Sequence, residues 1–341
     1  MQIGTIIRMN RKIDISHKTI FFIVAFLALL WALYLIKDVI ILLFVAVIFM
    51  SALSPIVSRL ERFKIPKSLA IALIYVVIIA IVSTLITFIV TPFAEETTTL
   101  LTNLPKYLTS LIPETGIIDR TVLQQEFGNF SKNALEVSLT IFNNFLAFIS
   151  IAVLTFYLLL ERENLDKLLA QFFIGKEERI KRTTKRIEEK LGSWMRGQMA
   201  LTLIIGAASY IGLTILGVPY ALPLAILAGI MEIIPVIGPI ISAIPAVMIA
   251  YLVSPFSAGL VAILYFVIQQ LENHLIVPQV MKKAVGLNPL AVIIAVAIGG
   301  RLLGISGALL AVPITVVAQI ITEDLLTVEE VQDAEKKIIN G

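Results

Sequence analysis

Runs of about 20 apolar residues, each long enough to cross a bilayer as a helix, recur at 19–36, 39–57, 69–91, 139–160, 199–216 and 256–272. Two longer apolar segments, 221–253 and 288–322, are broken near their middles by Gly and Pro. The runs are continuous rather than alternating, which disfavours a transmembrane barrel built from alternating strands of about ten residues. The pattern predicts an all-α polytopic membrane protein with six full spans plus two re-entrant, broken helical hairpins.

The two broken segments resemble each other. PLAILAGIMEIIPVIGPIISAIPAV runs from Pro223 to Val247, and PLAVIIAVAIGGRLLGISGALLAVP from Pro289 to Pro313. At an offset of 66 residues, Pro223-Leu224-Ala225 falls on Pro289-Leu290-Ala291 and Gly238 on Gly304. The arms of the first segment, 221–236 and 239–253, are 16 and 15 residues long, roughly 24 Å as helix. A hydrocarbon core is about 30 Å thick, so each segment reads better as a hairpin than as two full spans. One such segment alone would read as an ordinary kinked span, since Gly and Pro are common in membrane helices; two aligned copies reverse that preference. Paired interrupted segments in matching halves point to a transport site near the midplane.

Charge sets the orientation. Of 27 Lys and Arg, 22 lie in 1–18, 58–68, 161–197, 278–288 and 323–341, and four in 37–38 and 92–138. Positive residues stay in the cytoplasm, so both termini are expected there. The 199–216 span then runs outward and the 256–272 span inward. The hairpins following them dip in from opposite faces, which makes an inverted repeat. The expected divisions are N-terminal spans over 1–91, an extracytoplasmic amphipathic insertion over 92–138 and a fourth span over 139–160. A charged cytoplasmic helical segment follows over 161–197, then a transport domain over 198–322 and a cytoplasmic tail over 323–341. Within the insertion, Leu123, Phe127, Phe130, Ala134, Val137 and Ile141 recur at helical spacing, a stripe suited to packing or a subunit interface. The segment 161–192 carries nine Lys or Arg and seven Asp or Glu and reads most simply as a solvated helix.

Composition narrows the chemistry. The chain is 58% hydrophobic and 15% charged, with mean hydropathy +0.96 and net charge +3. The basic residues sit in loops on one side, so no nucleic-acid partner is expected. There is no Cys and only two His, which excludes disulfides and Cys-ligated metals and leaves a His-based metal site without ligands. No cofactor is expected.

Four groups of residues are candidates for the solute or ion pathway. Glu232 lies three residues before Pro235, at a depth where facing lipid would cost at least ~2.5 kcal/mol. It is either a proton- or cation-coupling carboxylate or a structural partner for a backbone donor or an Arg. Arg301 follows Gly299-Gly300 at the second break, opposite Pro235 in the repeat; it would hold a polar solute, pair with Glu232, or snorkel to the cytoplasmic face. Gln269, Glu272 and Asn273 share one helical face, lining a cytoplasmic entrance or simply ending a helix at the interface. Gly238, Pro239, Gly300 and Gly304 mark the breaks themselves, where unpaired backbone groups are available to a polar solute, and Asn288, which opens the second segment, is counted with them.

Residues 195–240 and 269–313 resemble the autoinducer-2 exporter family of bacterial and archaeal membrane proteins. The motifs that carry the likeness are Arg196-Gly197-Gln198, Gly217-Val218-Pro219, Ile234-Pro235 through Gly238-Pro239, Glu272-Asn273 followed by Pro278, Asn288-Pro289, Gly299-Gly300, and Gly304 through Pro313. The resemblance implies export of a small furanose-like signal molecule or exchange of sodium or lithium for protons. It also implies a homo-oligomer, a pentamer in this family, with a mobile domain moving against a fixed one.

The expected function is thus secondary transport of a small polar solute by alternating access, with membrane lipid as the other partner. A Na+(Li+)/H+ antiporter is the alternative, with H+ or Na+ as coupling ion. There is no Gly-x4-Gly-Lys-Ser/Thr loop, so ATP is not the direct driver. An intramembrane enzyme is disfavoured because no His-Glu-x-x-His or Gly-x-Ser-x-Gly motif is present. A channel is disfavoured for want of carbonyl or charge rings.

Overall fold

The computed structural model describes residues 17–85, 95–96, 99, 145–172, 177–235, 237–281 and 288–339. All regular structure in the described residues is helical. The longer helices are α1 (His17–Leu35), α2 (Lys37–Arg62), α3 (Lys67–Leu85), α4 (Phe145–Phe172), α5 (Glu177–Ile215), α6 (Ala221–Met231), α7 (Ile237–Val253) and α8 (Pro255–Leu271). A π-helical turn at Glu272–Ile276, a short α9 (Val277–Val280) and a long α10 (Pro289–Ile339) follow. Five helical stretches of the described residues are long and apolar enough to cross a membrane. They match the expected spans at 39–57, 69–91, 199–216 and 256–272, together with the second broken segment. The first expected span corresponds to a shorter apolar helix, Ile20–Leu35. The fourth coincides with α4 from Phe145 onward. The Leu123–Ile141 stripe lies outside the described residues.

The chain divides into two units, Met1–Val45 and Ala46–Gly341. In the first, α1 is apolar on every side, the composition of a helix surrounded by lipid or protein. In the second, apolar clusters hold the helices. Met50 and Val57 of α2 pack on Ala70, Ile71 and Ile74 of α3 and Leu159 of α4. The first broken segment, α6 with α7, is held between α5 and α8 by Leu213, Leu224, Ala228, Ala246, Ile249, Ala258 and Val261. Small residues bring α5 and α6 together: a Cβ on Gly229 would stand 2.8 Å from the Thr202 carbonyl and 3.3 Å from the Gly206 Cα. Small residues at membrane-helix interfaces serve this close approach.

Both broken segments fold back on themselves. In a straight helix residues eight apart are about 12 Å apart. Yet a Cβ on Gly299 would collide with the Gly307 carbonyl, and one on Gly307 with that of Gly299. The reversal sits at Gly304, whose φ of 62° and ψ of −142° interrupt α10, a conformation that only Gly adopts without strain. In the first segment the chain turns between Met231 and Ile237, and Gly238 seats against the Met231 carbonyl. The aligned glycines therefore differ in use: Gly304 makes its turn, whereas Gly238 lies just after one and permits close contact.

Helix ends follow local rules. Gly217, at φ 66°, closes α5 with Val218 N–H on the Leu213 carbonyl (3.0 Å) and Gly217 N–H on that of Thr214 (3.1 Å), the Schellman arrangement. The end of α2 is built the same way, with Lys64 at φ 65° in the position usually held by Gly. Left-handed backbone costs a side-chain-bearing residue roughly 1–2 kcal/mol. Lys64→Gly is therefore expected to raise the thermal unfolding midpoint, with a gain of about 1 kcal/mol after glycine's own entropy cost.

The charged stretch 161–192, read as a solvated helix, is mostly exposed or half-buried in its described residues. It is shared between the end of α4 and the first half of α5, a 39-residue helix that continues into a span. One face of that first half is buried through Glu188, Leu191, Gly192 and Trp194. Arg162 donates to Glu188 Oε2 (2.6 and 2.9 Å) and to Ser54 Oγ (2.6 Å). Arg196 donates to the Ala52 carbonyl at 3.0 Å and the Ser51 carbonyl at 3.4 Å. Pro55 explains why those carbonyls are open: it has no N–H for Ser51, and its ring displaces the adjoining helical bonds. Farther along, Arg179 bonds Asp324 (2.8 Å) and Arg186 bonds Glu323 (2.6 Å), tying α5 to α10. Arg196→Ala is expected to cost about 1–3 kcal/mol, the desolvation penalty of an unmet buried acceptor, read as a fall in the unfolding midpoint.

Candidate functional site

Glu232 terminates α6 and Glu272 opens the π-helical turn after α8. Forty residues apart in sequence, they meet: both are buried, at 2% and 5% exposure, and their carboxyls lie within hydrogen-bonding reach of each other. One Glu232 carboxyl oxygen, Oε2, is buried without a hydrogen-bond partner. Such an atom costs free energy unless something supplies a proton or a cation.

The surroundings hold both residues in place. Gln198 of α5, 5% exposed, donates from Nε2 to the Glu232 backbone carbonyl at 2.9 Å. Gln269 Nε2 donates to Glu272 Oε2 at 3.1 Å and to Asn273 Oδ1 at 3.4 Å. The shared face expected for Gln269, Glu272 and Asn273 is thus a bonded group. The π turn has a local cause. Pro278 lacks an N–H and its ring would press on the carbonyl four residues back. The backbone widens there, and Val277 N–H bonds the Glu272 carbonyl, five residues earlier. Widened turns of this kind are frequent at functional sites.

The first break differs from expectation in one respect. The carbonyls of Ala228, Ile230, Met231 and Ile234 accept from the N–H groups of Glu232, Ile233, Ile234 and Gly238, while that of Pro235 accepts from Ile237. Gln198 takes the Glu232 carbonyl. These backbone acceptors are occupied, so polar capacity at this tip resides mainly in the Glu232 side chain. Pro239 offers its carbonyl to Ser242 Oγ at 3.0 Å.

The two broken segments meet. Ile234 packs against Val296, Ala308 and Ala311, with Val292 and Ala295 beside them. The first break therefore adjoins the second broken segment. Asn288 caps the second hairpin's first arm, its Oδ1 accepting from Leu290 N–H at 2.9 Å. A Cβ on Gly300 would stand 3.8 Å from the Ala308 Cβ, and one on Gly304 would meet nothing within 4 Å. Arg301 is exposed; the carboxyl of Glu232 meets Glu272 rather than Arg301. Sequence reasoning placed Gln198 only in a motif, although a Gln in an otherwise apolar helical stripe is a signal of a specific partner. It also passed over Ser209 and Tyr265, whose buried hydroxyls have no hydrogen-bond partner among the described residues. No group of three or more His, Cys, Asp or Glu able to hold a metal ion occurs among the described residues.

Residues 20–327 match the model of the AI-2E family transporter. "Putative transport protein YueF" of Bacillus subtilis (strain 168) is 30% identical over 293 residues, 78% of this chain and 78% of its own length. The AI-2 transport protein TqsA of Escherichia coli (strain K12) is 26% identical over 297 residues, 82% of this chain and 83% of its own.

Proposed function

Since this chain belongs to the AI-2E family of transporters and is a multi-pass membrane protein, we propose that its two broken segments form the path of a small polar solute. The solute is of the kind carried by TqsA, the autoinducer-2 transport protein. The single observation that carries this reading is the packing of Ile234, at the first tip, against Val296, Ala308 and Ala311 in both arms of the second hairpin. Two interrupted segments meeting inside the bundle are what a midplane transport site requires. Their folded-back arms support re-entrant hairpins entering from opposite faces. Alternating access then follows from parting and closing of the tips.

The chain contains no Cys, so the contact can be locked. Ile234→Cys with Val296→Cys is expected to stop autoinducer-2 flux in proteoliposomes when oxidised and to restore it on reduction. Unchanged flux in the fully cross-linked protein would remove the tips from the mechanism. Orientation has its own test. Single cysteines at 278–281 are expected to react only from the cytoplasm, and Pro219→Cys only from outside. Reaction of both from one face would overturn the inverted repeat.

Exchange of sodium or lithium for protons is the second reading, favoured by two carboxyls buried where the segments adjoin. Proteoliposomes holding a pH-sensitive dye are expected to alkalinise or acidify on adding sodium or lithium under this reading, and to remain silent under the first.

A further inference from the structure

The Glu232–Glu272 contact has a chemical requirement. A carboxylate has no proton to donate, so a hydrogen bond between two carboxyls exists only if one of them is a carboxylic acid. Other donors do not remove the requirement. Gln269 serves Glu272 Oε2, Gln198 is committed to the Glu232 backbone, and Glu232 Oε2 is buried and unpartnered. Two fixed negative charges in apolar surroundings repel strongly, and like-charged carboxyls in contact share one proton between them.

We infer that Glu232 and Glu272 hold a single proton in common, and that loss of this proton parts the first hairpin tip from the π turn after α8. The inference rests on the transport reading and names its proton-carrying element. The step balances simply. The O–H bond of one carboxyl breaks, water accepts the proton, and the pair goes from one negative charge to two. Repulsion then separates residues on two elements that the proton had joined. The widened backbone at Glu272–Ile276 supplies the compliance, since its carbonyl is already bonded five residues ahead rather than four.

Other charged groups near these elements are engaged or turned away. On α5, Arg196 bonds the Ser51 and Ala52 carbonyls and Glu188 is paired with Arg162. Beyond Glu272, His274 is exposed, with Nδ1 at 3.0 Å from the Gln270 carbonyl. On α10, Arg301 is exposed. Arg179 and Arg186 of α5 are held by Asp324 and Glu323. Among the described residues the pair's own proton is what offsets the second charge.

Infrared difference spectra of the full-length protein in lipid nanodiscs, recorded across a pH titration without solute, test this directly. The wild type is expected to show the C=O stretch of a protonated carboxyl that disappears on deprotonation. Glu232→Gln and Glu272→Gln are each expected to lose the whole band, because the new amide donates without a proton. A band retained at full strength in both variants overturns the proposal, as does a wild type without one. Loss in only one variant assigns the proton to a single carboxyl and also overturns sharing. Both substitutions conserve shape; if one fails to fold, the corresponding Glu232→Asp or Glu272→Asp is read in its place, where a shared proton is expected to shift the band and an unshifted band overturns sharing. Autoinducer-2 flux is measured in parallel. A missing band with normal flux removes the proton pair and leaves transport intact, while a normal band without flux does the reverse.

Discussion

Gly307→Leu is expected to force apart the two arms of the second hairpin and to leave little folded, monodisperse protein. The obstacle to any side chain at this position is the Gly299 carbonyl, with Leu303 Cβ next at 2.8 Å. A backbone carbonyl cannot rotate out of the way as a flexible side chain can. Overpacking usually costs about 1–3 kcal/mol, and a rigid obstacle puts this case at about 3 kcal/mol, a large share of the 5–15 kcal/mol typical of a folded domain. Gly259→Leu is the control, since a Cβ there meets nothing within 4 Å. Gly300→Ala is a second, because its Cβ would touch only Ala308 at an ordinary 3.8 Å. The thermal unfolding midpoint and the monodisperse fraction in detergent should fall for Gly307→Leu alone. Equal behaviour of all three would mean that the arms do not depend on this crossing.

Glu188→Ala is expected to be strongly damaging at the junction of α2, α4 and α5. It leaves the Arg162 guanidinium with Ser54 Oγ as its acceptor among the described residues. Breaking a fully buried pair costs about 3–5 kcal/mol, and an exposed pair is worth about 0–1 kcal/mol. The Arg162 side chain is 30% exposed and that of Glu188 10%, so solvent screening brings the expected loss to about 2 kcal/mol. Arg162→Met combined with Glu188→Leu removes both charges and should recover most of the midpoint, since no orphaned charge remains. If the double variant is no more stable than Glu188→Ala, packing rather than charge holds this junction.

Several features were legible residue by residue. The expected span at 39–57 appears as α2, and the described part of that at 69–91, up to Leu85, as α3, because about 20 consecutive apolar residues have few stable alternatives in a bilayer. The breaks at Pro235–Pro239 and at Arg301–Gly304 were marked by Gly and Pro, whose backbone limits act locally. Glu232 stood out because an acid in an apolar run is costly unless it has a purpose. Gln269, Glu272 and Asn273 were legible as a group because helical spacing places them together. The separate roles of Gly238 and Gly304 were not, since an alignment compares residue types and a positive φ belongs to the folded turn.

What the sequence determined by itself was which segments are helical, where two of them are interrupted, and which polar residues were too expensive to be incidental. These depend on the period of the chain, on transfer into lipid and on Gly and Pro, all within a few residues. Only the tertiary structure decided the partners. It joined Glu232 to Glu272 rather than to Arg301, set Gln198 against the first tip and Arg196 against the carbonyls beside Pro55. Each of these contacts spans tens of residues or more. A hydrogen bond is decided within about 3 Å, a scale set by the packing of α5, α6 and α8 and absent from any local pattern.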